Sequence, residues 1–377
     1  MRHAKLALWI SSFLISLPAA LAQTYTITEI TTQGPVTQCT DLNDLGQVVG
    51  MTYPQGTTNY RPFCWEAGQT TNLPKPAGDA RVAASAIDNQ RRVFGYELAI
   101  EGGRLVQKPL VWIEGQLAPV PLPFEGVFGL VFPSRFGQFA ATNTLPFDAG
   151  TPGWENEQGW VDERDFDLKS NDRRIPAIWD AARRQTRVVG TLAGSWDIAP
   201  FAINDHGQLA CRVSNDGWNQ FEAALWDPEQ GFLLLGARGR RSAEAVAINN
   251  RGQLAGTLRK TGTGDVNTDY RNVPFVWSAG RLQEIDVPGA VHAQAWDLND
   301  QGVVVGSWTD AVGSLGIGKG AFLYRNGTVT DLNTLLPQGS GWNLTDAVKI
   351  NEHGQILVAE HVGPGIIDRR WGVLTPR

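Results

Sequence analysis

One phrase recurs along this chain: DLNDLGQVVG (41–50), AIDNQRRVFG (86–95), VFPSRFGQFAA (131–141), AINDHGQLAC (202–211), AINNRGQLAG (247–256), DLNDQGVVVG (297–306) and KINEHGQILV (349–358). Aligned on Gly46, Arg91, Gly137, Gly207, Gly252, Gly302 and Gly354, the copies lie 45, 46, 70, 45, 50 and 52 residues apart. A second phrase follows each first one: PFCWEAGQ (62–69), PLVWIEGQ (109–116), PAIWDAAR (176–183), AALWDPEQG (223–231), PFVWSAGR (274–281) and AFLYRNGT (321–328), reduced in the last copy to RWGVLTP (370–376). Such a period belongs to chains built from one supersecondary unit, in which each copy buries its apolar faces on its neighbours.

The unit is a pair of hairpins. Asn-Asp-x-Gly between short apolar runs is turn chemistry, because Asx side chains bond their own backbone and Gly accepts positive φ. Runs such as Val303-Val304-Val305 are apolar without alternation, as in strands covered on both faces. The Trp-x-x-Gly corner then leads into strands such as RLQEIDV (281–287). Each copy therefore holds four strands, A to D, and helical periodicity is absent from the repeated region. Seven four-stranded units predict an all-β, seven-bladed β-propeller. The last copy lacks a D strand, while YTITEI (25–30) near the N-terminus is an orphan strand that resembles TVTDL (328–332). The N-terminal strand is thus expected to complete the last blade and remove two open sheet edges. The second and third copies are the most degenerate: Arg91 replaces Gly in one, and Pro133, Ser134 and Arg135 blur the turn of the other.

Residues 1–22 read as a secretory signal peptide. Arg2 and Lys5 form the basic region, 6–17 the apolar stretch, and Ala20-Leu21-Ala22 the cleavage site. The apolar run is too short to span a bilayer. The expected mature chain, 23–377, is a single propeller domain, secreted or periplasmic, with no transmembrane span. The chain of 377 residues carries a formal net charge of −6, more acidic still once Arg2 and Lys5 leave with the leader. That balance gives no electrostatic footprint for nucleic acid. Three cysteines cannot form a disulfide framework. Cys39 and Cys64 fall on strands A and C of the first unit, two strand spacings apart and beyond disulfide reach. Cys211 stands where other copies have Gly, and all three are expected as buried free thiols.

The two phrases resemble the HAF family of bacterial extracellular repeats. Ala247-Ile248-Asn249 with Gly252-Gln253, and Ala321-Phe322-Leu323-Tyr324 with Asp331-Leu332, carry the resemblance, which covers nearly all of 24–377. Pro62, Pro109 and Pro274 depart from it, standing where the family has Ala. The resemblance implies export and a propeller; it implies no catalytic residue.

Propeller geometry puts the A–B and C–D turns on one face and the B–C and D–A loops on the other. The B–C loops vary most (about 51–61, 96–108, 142–175, 212–221, 257–273, 307–320 and 359–369), and variable loops on a rigid scaffold are where binding concentrates. Trp65, Trp112, Trp179, Trp226 and Trp277 repeat in register, with Tyr324 in the sixth copy, and are core. Trp154, Trp160, Trp196, Trp218, Trp308 and Trp342 are out of register, at loop positions, and are the candidate ligand-binding residues. They are suited to stack on sugar rings or to anchor a protein partner. The alternative is that they close local loop cores. The insertion at about 142–174 sets Glu155, Glu157, Asp162, Glu163, Asp165, Asp167 and Asp172 near two of these Trp, either to hold a cation or sugar or as a solvated flap. Asp265, Asn267 and Asp269 alternate like the start of a calcium loop, although position six is Tyr270 and no Glu closes the motif; Ca²⁺ is the one cofactor with any signal. No G-x-S-x-G, H-E-x-x-H or G-x-x-x-x-G-K-[ST] is present. His206 and His353 fall at A–B turns, while His292 and His361 fall near the loop face. The expected function is a non-catalytic binding module for a glycan or an envelope protein. The rival is a propeller hydrolase or lyase acting on extracellular polysaccharide, marked by a carboxylate pair or by His, Tyr and Arg converging on one mouth. A structural spacer is the third reading.

Overall fold

A computed structural model describes residues 24–377 except 33, 35, 54–59, 78–80, 102–103, 119–126, 129–131, 134–137, 147–154, 157–158, 161–171, 181–184, 191, 193–196, 215–220, 237–241, 262–269, 311–317 and 364–367. The expected leader therefore lies outside the described residues. Within them the chain is all-β, apart from one 3-10 helix at Leu332–Leu335. No helix among them is long and apolar enough to cross a membrane.

The repeat becomes a four-stranded antiparallel meander. In the first copy strands A to D are Val36–Leu42, Val48–Tyr53, Arg61–Glu66 and Gln69–Asn72, hydrogen-bonded in that order. The second runs Arg81–Ile87, Val93–Glu101, Arg104–Ile113, Gln116–Ala118. The fourth and fifth (Asp197–Ile203 to Gly231–Leu234, and Ser242–Ile248 to Arg281–Glu284) are linked by one parallel pair, Phe221 with Ser242. The sixth spans His292–Leu298 to Thr328–Asp331. In the third, Val127–Phe128 and Phe132–Pro133 take the place of strand A beside Gln138–Pro146, Asp172–Asp180 and Gln185–Val188. The seventh draws Asp346–Ile350, Ile356–His361 and Arg369–Pro376 from the C-terminal region, and its fourth strand is Tyr25–Glu29, with Tyr25 opposite Pro376.

Three B–C connections are shorter than the repeat pattern places them. The ladders of Val93–Glu101 with Arg104–Ile113, Gln138–Pro146 with Asp172–Asp180, and Leu254–Thr261 with Tyr270–Ser278 run on through much of 96–108 and into the ends of 142–175 and 257–273. The first of these runs as far as the pair Glu101 with Arg104, a register that a comparison among repeats does not reveal.

Apolar faces pack sheet on sheet, and each buried cluster joins two successive repeats. Val49, Leu73, Val82, Ala84, Ile87 and Trp112 join the first and second. Leu357, Trp371 and Val373 join Cys39, Val48, Phe63 and Trp65, so the seventh repeat packs on the first. The in-register aromatics Trp65, Trp112, Trp226, Trp277 and Tyr324 are all buried. Cys39 and Cys64 flank strand B as free thiols, and Cys211 is also free. Cys39 and Cys211 are buried and Cys64 half-buried; burial pushes the Cys64 thiol up to about 11, leaving it protonated and unreactive at neutral pH.

The Asn of the turn does two jobs. Asn249 Oδ1 accepts from the backbone N–H of Arg251 and Gln253, closing its own turn, while Nδ2 donates to the Asn299 carbonyl of the next repeat. The same crossing links Asn43 to Asp88, Asn204 to Asn249, Asn299 to Asn351 and, over 308 positions, Asn351 back to Asn43. A second belt lies beside it: Asn250 accepts from the Asp205 N–H, donates back to Asp205 Oδ2 and donates twice to the Asp300 carboxylate, and Glu352 N–H donates to Asp44 Oδ1. The degenerate second copy keeps the geometry. Arg91 adopts φ 63 where other copies have Gly, a left-handed conformation costing roughly 1–2 kcal/mol, and its guanidinium pairs with Glu66. Asp88 takes the Asn position, and Arg92 takes the Gln position and bonds to it at 2.7 Å.

Strands A are the inner strands. Those of repeats one, two and four to seven each contain a bulge and together line an axial cavity of about 180 Å³ at the A–B turn end. Three of its five charged residues, Asp41, Asp297 and Lys349, match one another. Asp41 Oδ2 accepts the N–H of Ile87, Asp297 Oδ2 that of Ile350, and Lys349 stands 3.6 Å from Asp41. Burial lowers the Lys349 pKa, but Asp297 and Asp41 outweigh it and hold the ammonium above its ordinary value. Burial raises the Asp41 carboxyl, an effect Lys349 opposes. Lys349→Met is expected to cost about 2 kcal/mol at neutral pH, less than a fully buried pair because Lys349 keeps 31% of its side chain exposed. Without the ammonium, the folded state holds a proton on the Asp41 carboxyl that the unfolded chain has released, so stability rises as pH falls. Urea unfolding at neutral pH and at about pH 4 measures this: the deficit should shrink on acidification, and an equal deficit at both would refute the arrangement.

Candidate loop-face binding site

The loop face is formed where strands A begin, strands B end and strands C begin. Its described part is rich in aromatic rings paired with guanidinium groups. Tyr53 at the end of strand B meets Tyr60 before strand C edge-on, ring centroids 4.7 Å apart. Arg212 lies 4.4 Å over the ring of Phe221 and bonds Glu244 of the next repeat. Arg370 lies 3.8 Å over Trp342 and donates to Glu29 at 2.6 Å and to the Gly341 carbonyl at 3.2 Å. Here the N-terminal strand, the D–A loop of the sixth repeat and strand C of the seventh meet, which only the shared sheet makes possible.

A second cluster lies beside it. Asp346 begins strand A, His361 ends strand B and Arg369 begins strand C of the seventh repeat. Thr345 Oγ1 donates to Asp346 Oδ2 at 3.0 Å, and Arg369 Nε donates to His361 Nε2 at 3.3 Å. Burial first, then the Arg369 charge, holds His361 below the usual imidazole range; Asp346 and Asp368 pull the other way. The ring is therefore neutral at neutral pH, with Nε2 as acceptor.

A third cluster sits at the seam of the fifth and sixth repeats. Arg259 near the end of strand B lies 3.8 Å over Tyr270, which begins strand C. The Tyr270 ring is 5.2 Å from that of His292, at the start of the next strand A. His292 Nδ1 accepts the Asn272 N–H at 3.3 Å, leaving Nε2 as the donor of the neutral ring. Burial, then Arg271 and Arg259, depresses the His292 pKa. Arg271 reaches the exposed Asp286 at 3.4 Å, whereas Arg259 has no carboxylate partner among the described residues and its Nε is buried without a hydrogen bond.

Of the residues singled out by sequence, Trp308 and Trp342 are half-buried on this face and pack on local cores; a Cβ at Gly320 would press on the Trp308 ring. Both therefore combine a packing role with partial exposure. Trp154, Trp196, Trp218, Asp265, Asn267 and Asp269 lie outside the described residues. Trp160 is placed only by its backbone, paired with Glu155 in a short hairpin. Sequence patterning missed Trp296, which is 38% exposed on the bulge of an inner strand and donates to Ser307. The signal was available: other copies carry Thr40, Ser85, Val246 or Val348 there, with Phe201 the one other aromatic. It missed the Arg259 cluster too, because its members belong to two repeats. His206 and His353 are exposed on the turn face. No group of three or more metal-ligating side chains occurs among the described residues.

No protein-family model and no curated protein matches the chain. Solved structures do. An oligogalacturonate lyase from Vibrio parahaemolyticus superposes with a TM-score of 0.57 at 11% identity, over 93% of this chain and 97% of that one. An acylaminoacyl peptidase from Pyrococcus horikoshii gives 0.54 at 10%, over 93% of this chain and 54% of its own. TolB from Acinetobacter baumannii gives 0.45 at 12%, over 75% and 62%. At these identities the likeness to the first two is one of fold alone: the chain has a propeller-type all-β architecture.

Proposed function

We propose that this chain is an exported, seven-bladed propeller of the HAF type that binds a glycan on its B–C/D–A loop face without cleaving it. Seven copies of the repeat, the pairing of Tyr25–Glu29 with Arg369–Pro376 and the Asn351 bond back to Asn43 support a closed ring of seven blades. The observation that carries the ligand class is the pairing of aromatic rings with guanidinium groups on the loop face, at Trp342 with Arg370 and Tyr270 with Arg259. A ring that stacks on a sugar face beside donors that reach its hydroxyls is the chemistry of carbohydrate recognition. The axial cavity on the other face is a poorer candidate, since its one ammonium is already matched by two carboxylates.

Titration of 23–377 with bacterial and plant polysaccharides, with and without Ca²⁺, followed by Trp fluorescence and product analysis, tests the reading. A saturable change without products is expected. Products would replace binding with catalysis, and a silent panel followed by capture of an envelope protein would replace the glycan with a protein partner.

A further inference from the structure

We propose that Arg259, Arg271 and His292 form an anion subsite, so that the glycan taken on the loop face is an acidic one, bearing carboxylate or sulfate groups. The inference rests on the glycan reading above and narrows it. Arg259 is the key residue. Its guanidinium carbon lies 3.8 Å over the Tyr270 ring, a contact that uses none of its five donors. Among the described residues none of those donors meets a carboxylate, and the Nε is buried without a hydrogen bond. A buried donor left unmet costs free energy in the unliganded protein, and the outer guanidinium N–H groups remain for an incoming oxyanion.

The neighbouring cations contrast with it. Lys260, the next residue, pairs with Glu284, Arg212 pairs with Glu244, and Arg370 pairs with Glu29. Arg271 has one loose partner, Asp286, whose side chain is 91% exposed and free to yield to a ligand. His292 adds a neutral donor: with Nδ1 engaged by Asn272, its Nε2–H is directed by the ring itself to the other side. One guanidinium and one imidazole at a single aromatic ring, with the Arg271 charge bearing on that imidazole, match a sugar whose ring stacks while its oxyanion is bonded. The three groups come from the end of one strand B, the start of the following strand C and the start of the next strand A, so the site exists only where the fifth and sixth repeats abut.

The test is binding of 23–377 to matched polymers: a polyuronate and its fully methyl-esterified form, and a sulfated polysaccharide and its neutral parent. Each pair keeps the backbone and removes the charge. At least one charged polymer is expected to bind roughly ten- to a hundred-fold more tightly than its neutral counterpart, as charge-assisted hydrogen bonds to a desolvated anion allow. Arg259→Gln and Arg271→Gln should abolish that preference, bringing the charged polymers down to the affinity of their neutral counterparts in the same variant. Arg251→Gln on the turn face should leave the preference intact. The uronate and sulfate arms decide which oxyanion is read. Equal binding of charged and neutral polymers, or a preference that survives in Arg259→Gln, overturns the subsite while leaving the glycan reading standing. No binding to any of the four polymers or to the neutral panel overturns both. Unchanged thermal unfolding of Arg259→Gln excludes loss of fold as the cause.

Discussion

Asn351→Ala is expected to lower the unfolding free energy by about 3 kcal/mol, more than a surface change and comparable to a core truncation. The side chain is 3% exposed and makes four bonds. Its Oδ1 accepts from the N–H groups of His353 and Gln355, and its Nδ2 donates to Gln355 Oε1 and to the Asn43 carbonyl. Alanine leaves the buried Asn43 carbonyl without this donor and opens the turn at once. Asn351→Asp separates the two roles. The carboxylate still accepts from His353 and Gln355, as Asp88 accepts from Gln90 and Arg92 in the second repeat, but it cannot donate to Asn43. Urea unfolding should place Asn351→Asp between the wild type and Asn351→Ala. Hydrogen exchange should quicken first in Tyr25–Glu29 and Arg369–Pro376, where the two ends of the chain are held. A loss below about 0.5 kcal/mol, the scale of an ordinary surface substitution, would mean that the seam of repeats seven and one does not depend on this bond.

The second large effect lies in strand B. Gly306→Ala would set a methyl group 2.1 Å from the Gln294 carbonyl oxygen and 2.5 Å from the Phe322 ring. The first neighbour is backbone and cannot rotate away, so the sheet itself must shift, at about 3 kcal/mol, the upper end for overpacking. Gly256 is in the same position against the Glu244 carbonyl and Phe275. The natural exception explains the rule: Cys211 occupies this position in the fourth repeat, and there the residue opposite on strand C is Ala224 rather than Phe. The seventh repeat inverts the pair, with Val358 opposite Gly372. In a double-mutant cycle, Gly306→Ala should therefore cost less in a Phe322→Ala background than in the wild type, by the part of the loss that the ring causes. Thermal and urea unfolding of the single and double variants measure both parts, and a single variant as stable as wild type would refute the close approach.

Local chemistry made the architecture readable. Seven turn phrases, a second aromatic phrase and complementary chain ends give strand content, order and the join between Tyr25–Glu29 and the last sheet, because hairpins depend on residues adjacent in sequence. The degenerate second copy is a full four-stranded sheet because Arg91 tolerates a positive φ, and Asp88 with Arg92 replaces Asn with Gln. Loop ends were less legible. The ladders of the second, third and fifth repeats run past the repeated core, where no copy exists to compare.

Function was far less legible, for a physical reason. Turn Asn residues read as local punctuation, yet their amide nitrogens reach the next repeat, 45 to 52 positions away, or 308 across the seam. Aromatics at loop positions read as platforms, but whether Trp308 and Trp342 are free depends on cores assembled from two repeats. Arg259, Tyr270 and His292 carry no motif, and their meeting is decided by how one sheet packs against the next. By itself, the sequence determined the unit, its number of copies and its strand order, since these follow from short-range backbone preference and periodic burial. Tertiary structure alone decided which side chains of different repeats stand within bonding distance, since that is set by sheet-to-sheet packing.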